Sequence, residues 1–103
     1  HNTIVSNFTA GSQTAGVRCV EEVTLVNSII YGNTHDNLAQ DCVYTSCWLF
    51  LATDPLLDAA TKMLTTTSPC IGQGAPYPAV TYDIEGETRD ASTPDIGADE
   101  YHP

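Results

Sequence analysis

The sequence predicts an all-β chain: a parallel β-helix of two to three coils closed by an extended C-terminal cap. Three observations carry that prediction. The N-terminal half repeats itself: "NTIVSN" (Asn2 to Asn7) resembles "NSIIYGN" (Asn27 to Asn33), and Cys19 and Cys42 recur at a similar interval. Repeats with a period in the twenties signal a solenoid. The repeated cores are short and β-branched, as strands are. Beyond Cys70 the chain becomes rich in Gly, Pro and acids and loses its periodicity, which reads as extended segments wrapping over something else.

Taken in order, the strands are Thr3-Ile4-Val5, then Val23-Thr24-Leu25-Val26 and Ser28-Ile29-Ile30-Tyr31. Gly, Asn, Thr and Ser lie between them, and "GNTHDN" is the clearest turn material. "TSCWLF" (Thr45 to Phe50) is a third, weaker copy, with Ser46 in the place of Ser28. Stacked coils would put Asn2 over Asn27 as an asparagine ladder at a bend. Ile4, Ile29 and Cys47 would stack inward, as would Val5, Ile30 and Trp48. Residues 1–52 are then the coils and 53–103 the cap of the same domain. Within the cap, Leu56 to Ala60 predicts one or two helical turns, with Pro55 in the first turn and Asp54 or Thr53 as N-cap.

The 103 residues make one small domain, whose limited buried surface calls for extra staples. Thirteen acids face three bases, Arg18, Lys62 and Arg89, for a formal charge of −10. Nucleic acid is a poor partner for such a chain, because binding it rests on neutralising phosphates with Lys and Arg. Anionic membranes and polyuronates are disfavoured for the same reason. No apolar stretch reaches the roughly 18–20 residues of a membrane span. The opening "HNTIVSNF" has no initiator Met and no basic n-region, and reads as the inside of a strand in a processed product, an excised domain or a fragment. Cys19, Cys42, Cys47 and Cys70 form no CxxC pair, which argues against structural zinc. An even count in a small chain points instead to two disulfides and an exported protein, with three connectivities open.

"VTLVNSIIYGN", "DPLL", "SPCIGQG" and "YDIEGETRDASTPDIGADEY", in that order and over nearly the whole chain, resemble the C-terminal end of bacterial right-handed parallel β-helix proteins. These are large exported or surface proteins with polymorphic outer-membrane repeats or pectate-lyase-like folds. The chain departs from their pattern at Gly72, where Asp is usual, at Leu57, where an aromatic is usual, and in a short segment from Asp58 to Ser68. A polar side-chain contact at position 72 is therefore not carried over. The resemblance implies a right-handed coil and a bacterial secreted or cell-surface location. It also implies that "TPDIGADEY" (Thr93 to Tyr101) is a lid over the last coils rather than a site. The partner would be preceding β-helix coils, or a second copy, at an N-terminal rung carrying Ile4 and Val5.

In such a stack Cys19 and Cys42 sit at equivalent places on neighbouring rungs, within disulfide reach. Cys47 with Cys70 would then pin the cap. The alternative pairs Cys42 with Cys47 and Cys19 with Cys70. In the cap, Arg89 is expected to pair with Asp95 or Asp99 and tie two segments together, since the Arg fork suits carboxylates. Asp83, Glu85 and Glu87 alternate, so on a strand they share one side and are the calcium candidates. No other cofactor is expected.

A glycosidase pair has only Glu21, Glu22, Asp36 and Asp41 on the coils, accompanied by Arg18, and no catalytic residue is assigned. His1, His35 and His102 are scattered and are not read as a metal site. Trp48 and Phe50 are expected in the last rung and Tyr101 as the anchor of the cap, with Tyr31, Tyr44, Tyr77 and Tyr82 offering some sugar-stacking surface. "NFT" (Asn7 to Thr9) is a glycosylation sequon, meaningful only in a eukaryotic exported chain. The function expected is structural: a capping module with no catalysis of its own. The alternatives are a glycan- or protein-binding module and the tail of a carbohydrate-active enzyme.

Overall fold

The computed structural model describes residues 1–8, 10, 16–34, 42–47 and 53–102. Among the described residues four short strands form, three of them on the β-branched runs: β1 (Thr3–Val5), β2 (Val23–Val26) and β3 (Ile29–Tyr31); the fourth, β4 (Cys42–Thr45), lies ahead of the third copy expected at Thr45 to Phe50. They make two separate two-stranded parallel sheets, β1 with β3 and β2 with β4.

The predicted β-helix is therefore corrected. Among the described residues there is no continuous solenoid, only these two small sheets and long extended segments lying against them. Each sheet stops at two strands, so among the described residues no third rung stacks on β3 or β4 to extend a coil. The steps also differ: Thr3 pairs with Ile29, whereas Val23 pairs with Cys42, a markedly shorter step along the chain.

Each sheet is bounded by a stacked pair of left-handed corners. Ser6 (φ 59°) and Gly32 (φ 69°) follow β1 and β3, while Asn27 (φ 50°) and Ser46 (φ 52°) follow β2 and β4. A positive φ costs an L-residue about 1–2 kcal/mol, which Gly escapes and Asn and Asp reduce through local hydrogen bonds. The corners thus sit at Gly, Asn and Ser.

The register differs by one residue from the ladder that the sequence suggests. Asn2 does not lie over Asn27; its N–H donates to Ser28 Oγ at 3.2 Å. The asparagine ladder forms at the other end, where Asn7 Nδ2 donates to Asn33 Oδ1 at 2.9 Å. "NSIIYGN" is one residue longer than "NTIVSN", so only one end can align. The downstream end wins because Asn33 also donates to the Ile4 carbonyl and Thr34 N–H to the Asn7 carbonyl. Ile29 consequently faces Thr3, and Ile30 faces Ile4.

Both isoleucines of β3 are fully buried, one on each face. A Cβ on Gly97 would stand 2.8 Å from Ile29 Cδ1, and one on Gly16 would stand 3.3 Å from Ile30 Cγ2. The core joins Ile29 to Leu64, Cys70 and Ile96, with Val5, Tyr31, Leu57, Ile71 and Tyr101 packed around it. Tyr101 thus helps to hold the C-terminal segment down. Trp48 and Phe50 lie outside the described residues.

The helical turn expected at Leu56 to Ala60 is absent. Leu56 and Lys62 have positive φ values, which no right-handed helix accepts. A loop closed by an antiparallel Leu57–Leu64 bridge stands there instead. The Asp58 carboxylate collects the Ala60 and Thr61 N–H groups within it, and Asp54 accepts the Leu56 N–H.

Asn27 ties the strands to the C-terminal half. It is fully buried, and its amide makes a two-way clasp with Ala75, donating to the carbonyl and accepting from the N–H, both at 2.8 Å. Its own carbonyl receives the Gly97 N–H at 2.7 Å. Gly74 is required beside it, since a Cβ there would meet the Pro94 carbonyl at 2.6 Å and Asn27 Cγ at 3.1 Å. Asn27→Ala should cost roughly 2–4 kcal/mol, combining two orphaned, half-buried backbone groups of Ala75 with a less tolerant left-handed corner. Urea unfolding checks this; an unchanged midpoint would refute the clasp.

Candidate functional site

The strongest concentration of polar groups lies in the C-terminal segment, from Asp83 to His102. Tight turns assemble it. Tyr82 and Thr88 form an antiparallel bridge around the turn at Asp83–Glu87, where Gly86 (φ 83°) lets the chain double back. The Asp83 carboxylate fills that turn, accepting the Glu85 and Glu87 N–H groups on one oxygen and the Glu100 N–H on the other. Asp90 organises the next turn through the N–H groups and hydroxyls of Ser92 and Thr93.

Arg89 runs through the middle with its side chain buried. Its ion pair is with Glu100 at 3.2 Å, not with Asp95 or Asp99 as the sequence suggests. It also donates to the carbonyls of Tyr82, Gly97 and Ala98. Asp95 and Asp99 are buried too, and serve the main chain instead. Asp95 receives the Gly72 and Tyr101 N–H groups, both at 2.6 Å, and Asp99 receives the Leu64 N–H at 2.8 Å. The contact at position 72 is thus made by backbone, which needs no polar side chain there. Glu100 completes the set by accepting the Asp90 and Asp95 N–H groups.

Ionisation follows from these bonds. Asp90 is held at about 2, chiefly by the Thr93 N–H, then by the Ser92 N–H and hydroxyl. Asp83 feels burial, which raises it, but the N–H groups of Glu100, Glu87 and Glu85 prevail and hold it below the usual carboxylate range. Asp95 shifts the other way: burial, aided by the Glu100 and Asp99 charges, outweighs its two N–H partners.

A groove of about 430 Å³ opens over this cluster, lined by Ile71, Gly72, Asp95, Tyr101 and His102 among others. Its buried charged members, Arg89, Asp95 and Glu100, make their hydrogen bonds to one another or to backbone. The calcium candidates do not come together as predicted. Asp83 to Glu87 is a turn rather than a strand, so alternation does not place its carboxylates on one side. Asp83 and Glu87 converge with His102, and Glu85 does not join them.

The cysteines divide. Cys19 and Cys42 are bonded, with Cα atoms 5.2 Å apart, while Cys47 and Cys70 are free thiols. The expected Cys47–Cys70 link is not made because each thiol is committed elsewhere. Cys47 turns toward the Leu25 and Thr45 carbonyls at its corner, and Cys70 sits in the core. Burial pushes the Cys70 thiol up to about 11, far from a reactive thiolate. Of the residues considered for glycoside chemistry, Arg18, Glu21 and Glu22 are exposed, while Asp36 and Asp41 lie outside the described residues, as does His35. Asn27 and Glu100, the two residues on which the cluster turns, are not singled out by the sequence as site residues. Only the repetition of Asn at the corners hints at the first. No protein-family model, curated protein or solved structure matches this chain.

Two outcomes follow from the geometry. Arg89→Ala should cost about 3–5 kcal/mol, because it leaves Glu100 buried without its partner. Adding Glu100→Gln should restore part of that loss in thermal unfolding, and no recovery would refute the pairing. On acidification, stability should fall as the pH drops from about 4 towards 2, where unfolded aspartates take up protons before the native Asp90 and Asp83 do. Asp95 contributes with the opposite sign, since its native form is protonated first. Asp90→Asn keeps an acceptor oxygen but cannot ionise, so its unfolding midpoint should vary less steeply with pH across that window.

Proposed function

We propose that this chain is a structural, end-closing module of an exported protein, with no catalysis of its own. The observation that carries this reading is the fate of the polar groups in the C-terminal segment. Asp83, Asp90, Asp95, Asp99, Glu100 and Arg89 direct their hydrogen bonds to this chain's own main chain and to one another. A catalytic group needs a free valence directed at a substrate, and a lid needs its own backbone satisfied. The Cys19–Cys42 bridge favours an oxidising compartment.

The joining surface is the outer edge of β1, which among the described residues has a hydrogen-bonded strand on one side only. Thr3, Ile4 and Val5 line a groove of about 390 Å³ there, together with Met63, Ile84 and Ala98. An unpaired edge beside apolar side chains invites another strand. The isolated chain should therefore form dimers at high concentration through β1, seen by light scattering after size exclusion. Ile4→Lys, with its circular dichroism unchanged, should abolish them. A strict monomer at every concentration would overturn the edge-joining reading.

A second reading, binding of glycans or proteins, has one observation in its favour. Tyr44 is 52% exposed on β4, beside the exposed Val43. Tyr44→Ala would abolish such binding and leave the oligomeric state alone.

A further inference from the structure

We infer that Asp83, Glu87 and His102 form a binding site for a first-row divalent transition metal, with zinc the best fit. This goes beyond the structural reading above and does not rest on it. One ligand atom from each residue lies within 4.8 Å of the other two, and His102 Nε2 stands 3.9 Å from Glu87 Oε2.

The donor set selects the metal. Two carboxylates alone would suit calcium, which takes six to eight oxygens. An imidazole nitrogen at the same point moves the preference to zinc and its neighbours. Three protein ligands at zinc bond lengths place their donor atoms roughly 3.3 Å apart, with a fourth position left for water. Closing the triangle needs an adjustment on the order of an ångström. Glu87 and His102 are exposed, so their side chains can swing inward without disturbing the core.

Asp83 is the fixed member. Three backbone N–H groups hold its carboxylate in place, and an ionised carboxylate offers about four acceptor positions, so one remains for a metal. Glu87 lies at the end of the same turn, and His102 follows Tyr101, whose ring packs on the core. Two rigid pieces of chain thus deliver the three donors, and a bound ion would fasten His102 to the Asp83–Glu87 turn. The sequence offers no CxxC or HExxH spacing to announce the site, because its third donor is remote from the other two along the chain.

Native mass spectrometry and calorimetric titration of the intact chain with zinc chloride, in parallel with calcium chloride, test the site. One zinc per chain is expected, with calcium bound far more weakly. His102→Ala and Glu87→Gln should each weaken zinc binding at least about tenfold, the scale on which even outer-shell partners of bound metals act. Both side chains are exposed, so circular dichroism should stay unchanged. No zinc uptake at millimolar concentration would overturn the proposal. So would uptake that His102→Ala leaves intact, which would trace it to the free thiols, and so would a preference for calcium.

Discussion

Everything in this structure leans on Asn27. It forms the left-handed corner between β2 and β3, and it is also the point where the C-terminal half is fastened to the strands through Ala75 and Gly97. A side chain that hydrogen-bonds like a peptide group is suited to both tasks. At the corner Asn tolerates a positive φ, and in the interior its amide substitutes for a strand partner that the segment around Ala75 lacks. Burying such a group is favourable only with its bonds complete, so the clasp and the fold around it form together or not at all.

The same requirement explains how a chain of net charge −10 buries several carboxylates. The C-terminal segment has almost no regular structure and so many backbone N–H groups without ladder partners. Asp83, Asp90, Asp95, Asp99 and Glu100 supply the missing acceptors, each by way of a short turn or a cross-segment bond. Arg89 balances the charge at the centre, where its fork reaches Glu100 and two carbonyls at once. The acids that look in sequence like a binding cluster are mostly the scaffold of a segment without strands. Glu87 and His102, left at the rim, are the ones with chemistry to offer outward.

What could be read directly from the residues is local. The β-branched runs at Thr3–Val5, Val23–Val26 and Ile29–Tyr31 become strands, and the Gly and Asn beside them become corners, because both follow from steric preferences of single residues. The repeat correctly marks that β1 and β3 resemble each other. It does not set their register, since aligning Asn2 with Asn27 or Asn7 with Asn33 is equally consistent with the letters.

Only the tertiary structure decides the rest. The choice of Asn33 over Asn27 as the ladder partner depends on bonds to Ile4 and Asn7 across the sheet. The unequal offsets of the two sheets arise from loop lengths that periodicity cannot weigh. The choice of Glu100 over Asp95 as the partner of Arg89 rests on which carboxylates the backbone claims first. Sequence by itself determined three of the strands, the Gly and Asn beside them, and an acid-rich segment without periodicity, because these depend on neighbours along the chain. Register, ion pairing and the meeting of Asp83, Glu87 and His102 depend on neighbours in space, which exist only once the chain has folded.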